Sequence, residues 1–183
     1  VVNTGGDHGD LTDDYAAIRK EMEAVAAHFG KHVLREVELE TVESHVGELR
    51  RACGDRAVLR ALHYYDENAR VLEQAAAIRG GDLPAFFDAV KRSGDSSWKL
   101  LQNVYARSTE EQMAMGIELS RRFLHGDGAQ RVHGGGFAGT IQAYVPLGRL
   151  DDYKKLMEDA FGPGSCTALM VRPEGAVMMP MEG

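Results

Sequence analysis

Arg131–Thr140 reads RVHGGGFAGT, and the fold turns on how these ten residues are read. Gly134, Gly135 and Gly136 stand between two short apolar runs, AQRVH ending at His133 and TIQAYV beginning at Thr140. Glycine reaches positive φ without penalty and, having no Cβ, lets another chain or a ligand come close to its backbone. The stretch therefore predicts two strands joined by a bared main chain. Exposed main-chain N–H groups of this kind can face an anion, although a plain tight turn between strands has the same composition.

Working outward, the pattern after Thr140 alternates strand and helix. Tyr153, Met157 and Phe161 recur every fourth residue and predict a helix over 151–161, which Gly162-Pro163-Gly164 ends. Cys166–Val171 then reads as a strand, Pro173–Gly175 as a turn and Ala176–Met179 as a closing strand.

Toward the N-terminus the pattern is helical. Val1–Thr4 is apolar and strand-like, and Gly5–Asp10 is loop. Thr12 is placed to cap a helix with Asp13 and Asp14 in its first turn and Tyr15, Ile18, Met22, Val25 and Phe29 along one face; Gly30 stops it. A second helix begins near Thr41. A long third covers about 56–78, and a fourth starts at Asp82 with Pro84 in its first turn, where a missing N–H costs little. Ser93–Ser97 predicts a bend. Ser108 followed by Glu111 predicts a capping box for a fifth helix ending near Leu124. The sum is one α+β domain over residues 1–183, a helix-rich front packed as two layers on a small antiparallel sheet.

Composition excludes several classes. The net charge of −7 over 183 residues leaves no basic footprint for nucleic acid. No stretch approaches the run of about 20 apolar residues that a membrane helix needs. Cys53 and Cys166 are far apart and form no disulfide framework, which suits a reducing cytoplasm. There is no GxxxxGK[ST] phosphate loop and no GxSxG elbow. His28 and His32 are four apart, but Gly30 between them breaks any shared helix face, so surface histidines are the simpler reading and no metal ligand is assigned. Asp10, Asp13 and Asp14 are accounted for by a solvated helix start. Tyr64, Tyr65, Trp98 and the cluster of Met178, Met179 and Met181 read as packing groups.

Three stretches in order resemble the galactokinases, of the GHMP small-molecule kinases. NTGGDHGDLTDDYAAIRKEME, with Asn3, His8, Tyr15 and Arg19, is similar to a segment of that family in which a Tyr contacts the sugar. RALHYYDENARVLEQAAAIRGGDLPAFFDAVKRSGDSSWKLLQNVY is similar to its RA-x-H…E…GD…F…S pattern. RVHGGGFAGTIQAYV resembles its third GHMP motif, usually Thr-Gly-x-Gly-Phe-Gly-Gly. His133, Ala138 and Thr140 depart from the family's frequent Thr, Gly and Cys.

The resemblance covers the second half of such an enzyme. It implies a GHMP kinase C-terminal domain with a ferredoxin-like core, with residues 1–10 as the last strand and loop of an N-terminal domain that precedes it. The implied activity is transfer of the ATP γ-phosphoryl group to the C1 hydroxyl of α-D-galactose with Mg²⁺, in the cytoplasm. Tyr15 is implied as the sugar contact. Gly134, Gly135, Gly136 and Phe137 are implied to line the active site. The catalytic Asp, its partner Arg and the phosphate loop are implied to lie in the N-terminal domain, which would also bind most of the ATP and Mg²⁺, so this segment alone should be inactive. Other GHMP kinases, a non-catalytic galactose sensor and a free-standing ferredoxin-like ligand domain are the rival readings. The last is disfavoured by the expectation that the Val1 strand pairs with residues upstream.

Overall fold

The computed structural model describes residues 1–6, 11–171 and 175. Strand β1 is Val2–Asn3, β2 is Ala129–Val132 and β3 is Thr140–Tyr144. They form one antiparallel sheet in the order β1-β3-β2. In register, Val132 faces Ile141, which in turn faces Val2. RVHGGGFAGT is thus the tip of the β2–β3 hairpin, as its composition predicts.

The expectation that the first strand pairs with residues upstream is corrected by the hydrogen bonds. β3 holds one edge of β1, and Ser165–Thr167 holds the other: Asn3 N–H donates to Ser165 O at 2.8 Å and Thr167 N–H to Val1 O at 2.8 Å. The expected strand over 166–171 shrinks accordingly to a single bridge between Cys166 and Val2. Leu169, Met170 and Val171 stand exposed. The turn and strand expected over 173–179 fall almost wholly outside the described residues.

The helices are α1 Thr12–His28, α2 Leu39–Ser44, α3 Val46–Cys53, α4 Asp55–Gly80, α5 Leu83–Ser96, α6 Gln112–Leu124 and α7 Leu150–Phe161. Asp82 caps α5 as predicted, its carboxylate accepting from Ala85 N–H at 3.0 Å with Pro84 in the first turn. Other predicted ends move. Thr12 lies inside α1 and does not cap it, and the helix expected near Thr41 is divided into α2 and α3 at His45. The Ser108–Glu111 capping box does not form: Glu110 N–H turns back to Arg107 O at 3.0 Å, and α6 opens at Gln112 with no side-chain cap.

Two apolar clusters hold these elements. One lies on the sheet face carrying Val2, Val132 and Ile141, covered by Met113, Ala114 and Ile117 of α6 and Tyr153 and Met157 of α7. Tyr153 enters this core with its hydroxyl satisfied by Ser120 Oγ at 2.8 Å, and burial pushes its pKa up to about 12. The other cluster is helical, joining Val25, Ala26, Val42, Leu49, Ala57, Val58 and Ala61 from α1 to α4. The two-period alternation of β2 and β3 turns Arg131 and Tyr144 to the opposite sheet face. There Gly94 of α5 lies close on Arg131, and the Phe86 and Phe87 rings meet Tyr144 at 5.3 and 5.8 Å.

Between α4, α5 and β2 runs a polar seam. Glu67 accepts from Arg70 Nε at 2.9 Å and from Arg131 Nη1 at 3.3 Å and also from Ser93, while Arg131 donates to Ser93 Oγ at 2.6 Å. Buried His63 shares a 2.8 Å hydrogen bond with Ser96 Oγ. Burial alone would raise the Glu67 pKa. The hydrogen bonds from Ser93 and Arg70 and the charge of Arg131 outweigh it, and the net shift is downward. This seam fixes the long helix α4 to the strand that leads into the glycine connection.

Candidate functional site

The predicted bend at Ser93–Ser97 takes a specific form. α5 runs through Ser96 and continues as one π-helical turn, Ser97–Leu101, closed by a bond from Gln102 N–H to Ser97 O at 2.8 Å. Gln102 then adopts left-handed backbone angles (φ 59°, ψ 50°), which redirects the chain and delivers Asn103 to the hairpin tip. Single π turns inside helices recur at functional sites.

Asn103 and Tyr15 grip the glycine connection from two sides. The main-chain O of Asn103 accepts from Phe137 N–H at 2.5 Å, and its Nδ2 donates to Gly135 O at 3.0 Å. Tyr15, in the first turn of α1, donates its hydroxyl to Gly136 O at 2.7 Å and sets its ring edge-on to Phe137 at 5.2 Å. Phe137 itself is held at φ 62°, a left-handed conformation unusual for a bulky residue. Strain of this kind needs surrounding structure to impose it, and here the two flanking clamps do so.

The glycines are required by these approaches. A Cβ on Gly136 would fall 2.1 Å from Asn103 O, and one on Gly135 would fall 2.8 Å from Tyr15 Cε1. Close packing by protein groups thus accounts for two of the three bare positions. The base of the connection is tied to β1, with Thr4 N–H and Thr4 Oγ1 both donating to Gly139 O, at 2.7 and 2.9 Å. Gly134 and Gly135 form a tight turn at the tip, and among the described residues their N–H groups donate to no protein acceptor.

Beside this tip opens a groove of about 380 Å³ lined by Asp14, Arg56, Arg60, Trp98, Gln102 and Phe137, among others. Arg60 is 1% exposed, donating through Nε to Leu101 O at 3.0 Å and through Nη1 to Glu21 at 2.8 Å. Burial presses its pKa down and the Glu21 carboxylate works the other way. Arg56 shares the same carboxylate at 2.5 Å. One acidic group thus orders two guanidinium groups along the groove wall.

Of the residues singled out from sequence, the structure brings Tyr15, Gly135, Gly136 and Phe137 into direct contact. Gly134 is exposed at the tip, and His133 points to Gln142 at 2.9 Å, on the strand beside it. His8 and Asp10 lie outside the described residues. Arg19 pairs with Glu23 on the surface of α1, away from the hairpin contacts. His28 faces Glu48 at 3.6 Å, and among the described residues no group of three or more His, Cys, Asp or Glu is placed to hold a metal ion. No described helix is long and apolar enough to cross a membrane. Asn103, Arg56 and Arg60 were missed. Asn103 follows an apolar helix end in sequence and carries no local signal, while Arg60 is the Arg of the RA-x-H pattern, to which no role was attached.

Comparisons with known proteins agree with the sequence resemblance. No protein-family model matches the chain. The galactokinase of Mannheimia succiniciproducens is 30% identical over 161 residues, covering 88% of this chain and 40% of that protein, and a galactokinase of Haemophilus influenzae matches with the same identity and coverage. The chain therefore spans about 40% of the length of these curated relatives. Its fold is that of a crystal structure of Lactococcus lactis galactokinase complexed with galactose, with a TM-score of 0.68 at 18% identity, covering 87% of this chain and 40% of that one.

Proposed function

We propose that residues 1–183 form the C-terminal domain of a galactokinase, acting in the cytoplasm. The whole protein would transfer the γ-phosphoryl group of ATP to the C1 hydroxyl of α-D-galactose, releasing ADP and galactose 1-phosphate. The observation that carries this reading is the 2.7 Å hydrogen bond from Tyr15 to Gly136. Two stretches that resemble the family separately, 121 residues apart in the chain, meet at one point. The galactokinase relatives supply the substrate class.

Phosphoryl transfer asks a protein for positioning and charge stabilisation more than for covalent chemistry. In this reading Tyr15 presents its ring and hydroxyl to the sugar side of the cleft. The backbone of Gly135 and Gly136 supports the sugar and phosphate end, and Phe137 forms the wall between it and the groove. The base that takes the C1 hydroxyl proton, the phosphate loop and the main hold on ATP and Mg²⁺ belong to the N-terminal domain. Closing the two domains would exclude water, so that the sugar and not solvent accepts the phosphoryl group.

The test is a sugar and small-alcohol panel offered with Mg-ATP to the full-length protein. Galactose 1-phosphate as the preferred product supports the reading; preference for N-acetylgalactosamine, mevalonate or homoserine overturns it, and galactose binding without turnover marks a sensor. The 183-residue chain alone should show no turnover.

A further inference from the structure

We infer that Asn103 is a positioning residue for the glycine connection, holding the peptide planes on both sides of Gly136 and so setting which way the Gly136 N–H and the backbone leading into Phe137 face. The residue is 2% exposed and reaches the connection twice, through its main-chain O to Phe137 N–H and through its Nδ2 to Gly135 O. These bonds fix the peptide planes on both sides of Gly136. Tyr15 fixes the carbonyl of Gly136 itself. Gly135 O and the Gly136 N–H share one planar peptide, so the bond to Gly135 O turns the Gly136 N–H away from Asn103.

The amide of Asn103 has a further property. Its Oδ1 is buried and has no hydrogen-bond partner. A buried unpaired oxygen is a cost that an aliphatic side chain of similar volume would avoid. The group that justifies an amide here is therefore the donor, Nδ2, and its single partner is Gly135 O. The π turn before it serves the same end, because the left-handed Gln102 places Asn103 against Gly136 closely enough to exclude a Cβ.

Asn103→Leu removes the donor at nearly constant volume, and Asn103→Asp removes it while keeping the shape. Both are made in the full-length protein and read in two ways. Amide hydrogen exchange is the first and needs no assumption about substrate: exchange at Gly134–Phe137 should quicken about tenfold while α4 and α6 keep their protection. The second rests on the galactokinase reading: the KM for galactose should rise about tenfold with the KM for ATP within about twofold of wild type. Unchanged exchange at the connection in both variants overturns the inference, and so does quickened exchange throughout the domain or failure of both variants to fold, since Asn103 would then be a packing residue. Localised quickening in a protein whose wild type does not phosphorylate galactose upholds the positioning role and sinks the substrate assignment instead.

Discussion

Tyr15 donates its hydroxyl to the Gly136 carbonyl at 2.7 Å, joining the first turn of α1 to the tip of the β2–β3 hairpin. Gly136 O also accepts from Ala138 N–H at 2.8 Å, so it keeps one partner without the tyrosine. Tyr15→Phe should therefore destabilise the protein by only about 1 kcal/mol, the net worth of one hydrogen bond. The effect on galactose phosphorylation should exceed what that loss explains. Urea unfolding beside kcat/KM would check it; equal, small effects on both would make Tyr15 a packing group alone.

The glycines of the connection should differ sharply when each is replaced by alanine. Gly134 has φ +74° with open space around its Cβ position, so Gly134→Ala should cost about 1–2 kcal/mol of backbone strain. Gly136 has φ +84° and a main-chain oxygen 2.1 Å from that position, which cannot move without breaking the Phe137 bond. Gly136→Ala should cost at least about 3 kcal/mol. Gly135→Ala meets only the edge of the Tyr15 ring, so its signature should be a displaced tyrosine, visible as a changed Tyr15 ring resonance.

Acid should lower the stability of the protein in two successive pH ranges that trace to the seam between α4, α5 and β2. Burial lowers the His63 pKa from its ordinary 6.5, so below that pH the unfolded chain binds a proton that the folded chain refuses. Stability from this group is full above about pH 6.5 and declines as pH falls toward its folded pKa. Glu67 is also lowered, from 4.5, so its contribution is present above about pH 4.5 and is lost as pH falls through its folded value. His63→Gln should flatten the upper part of the stability–pH curve and Glu67→Gln the lower part. Thermal melts at half-unit pH steps would show it; parallel curves for both variants and wild type would reject this account.

The two arginines on Glu21 should be unequal. Arg56 has a half-exposed side chain, and Arg56→Ala should cost less than about 1 kcal/mol. Arg60 is buried and also satisfies Leu101 O, so Arg60→Ala leaves a cavity and an orphan carbonyl and should cost about 3 kcal/mol. Chemical denaturation of the pair would reveal equal costs if the buried contacts contribute nothing.

What the sequence disclosed followed the range of the forces involved. The α5 start was legible because Asp82 and Pro84 act on their own backbone, and the β2–β3 hairpin because glycines punctuate two apolar runs. Thr12 is taken up inside α1, and the Ser108–Glu111 box gives way to a turn closed by Glu110 to Arg107. Over 166–171 the apolar run was legible, but pairing is a tertiary matter, and in the structure it is a single bridge between Cys166 and Val2. In the site, Tyr15 and the glycines were found through family resemblance. Asn103 was not, because its role depends on a π turn and a left-handed Gln102 that no local pattern announces.

That π turn amounts to one extra residue stored within a helical run. Deleting one of Ser97–Leu101 would let the helix relax to α geometry, gaining regular hydrogen bonds while rotating everything after it by about 100° about the axis. Asn103 would swing off the hairpin, and a shorter chain with a better helix would lose its grip on Gly135. Helical regularity is sacrificed at this point for aim, so a substitution that idealises Ser97–Leu101 can raise thermal resistance and loosen the hairpin tip together.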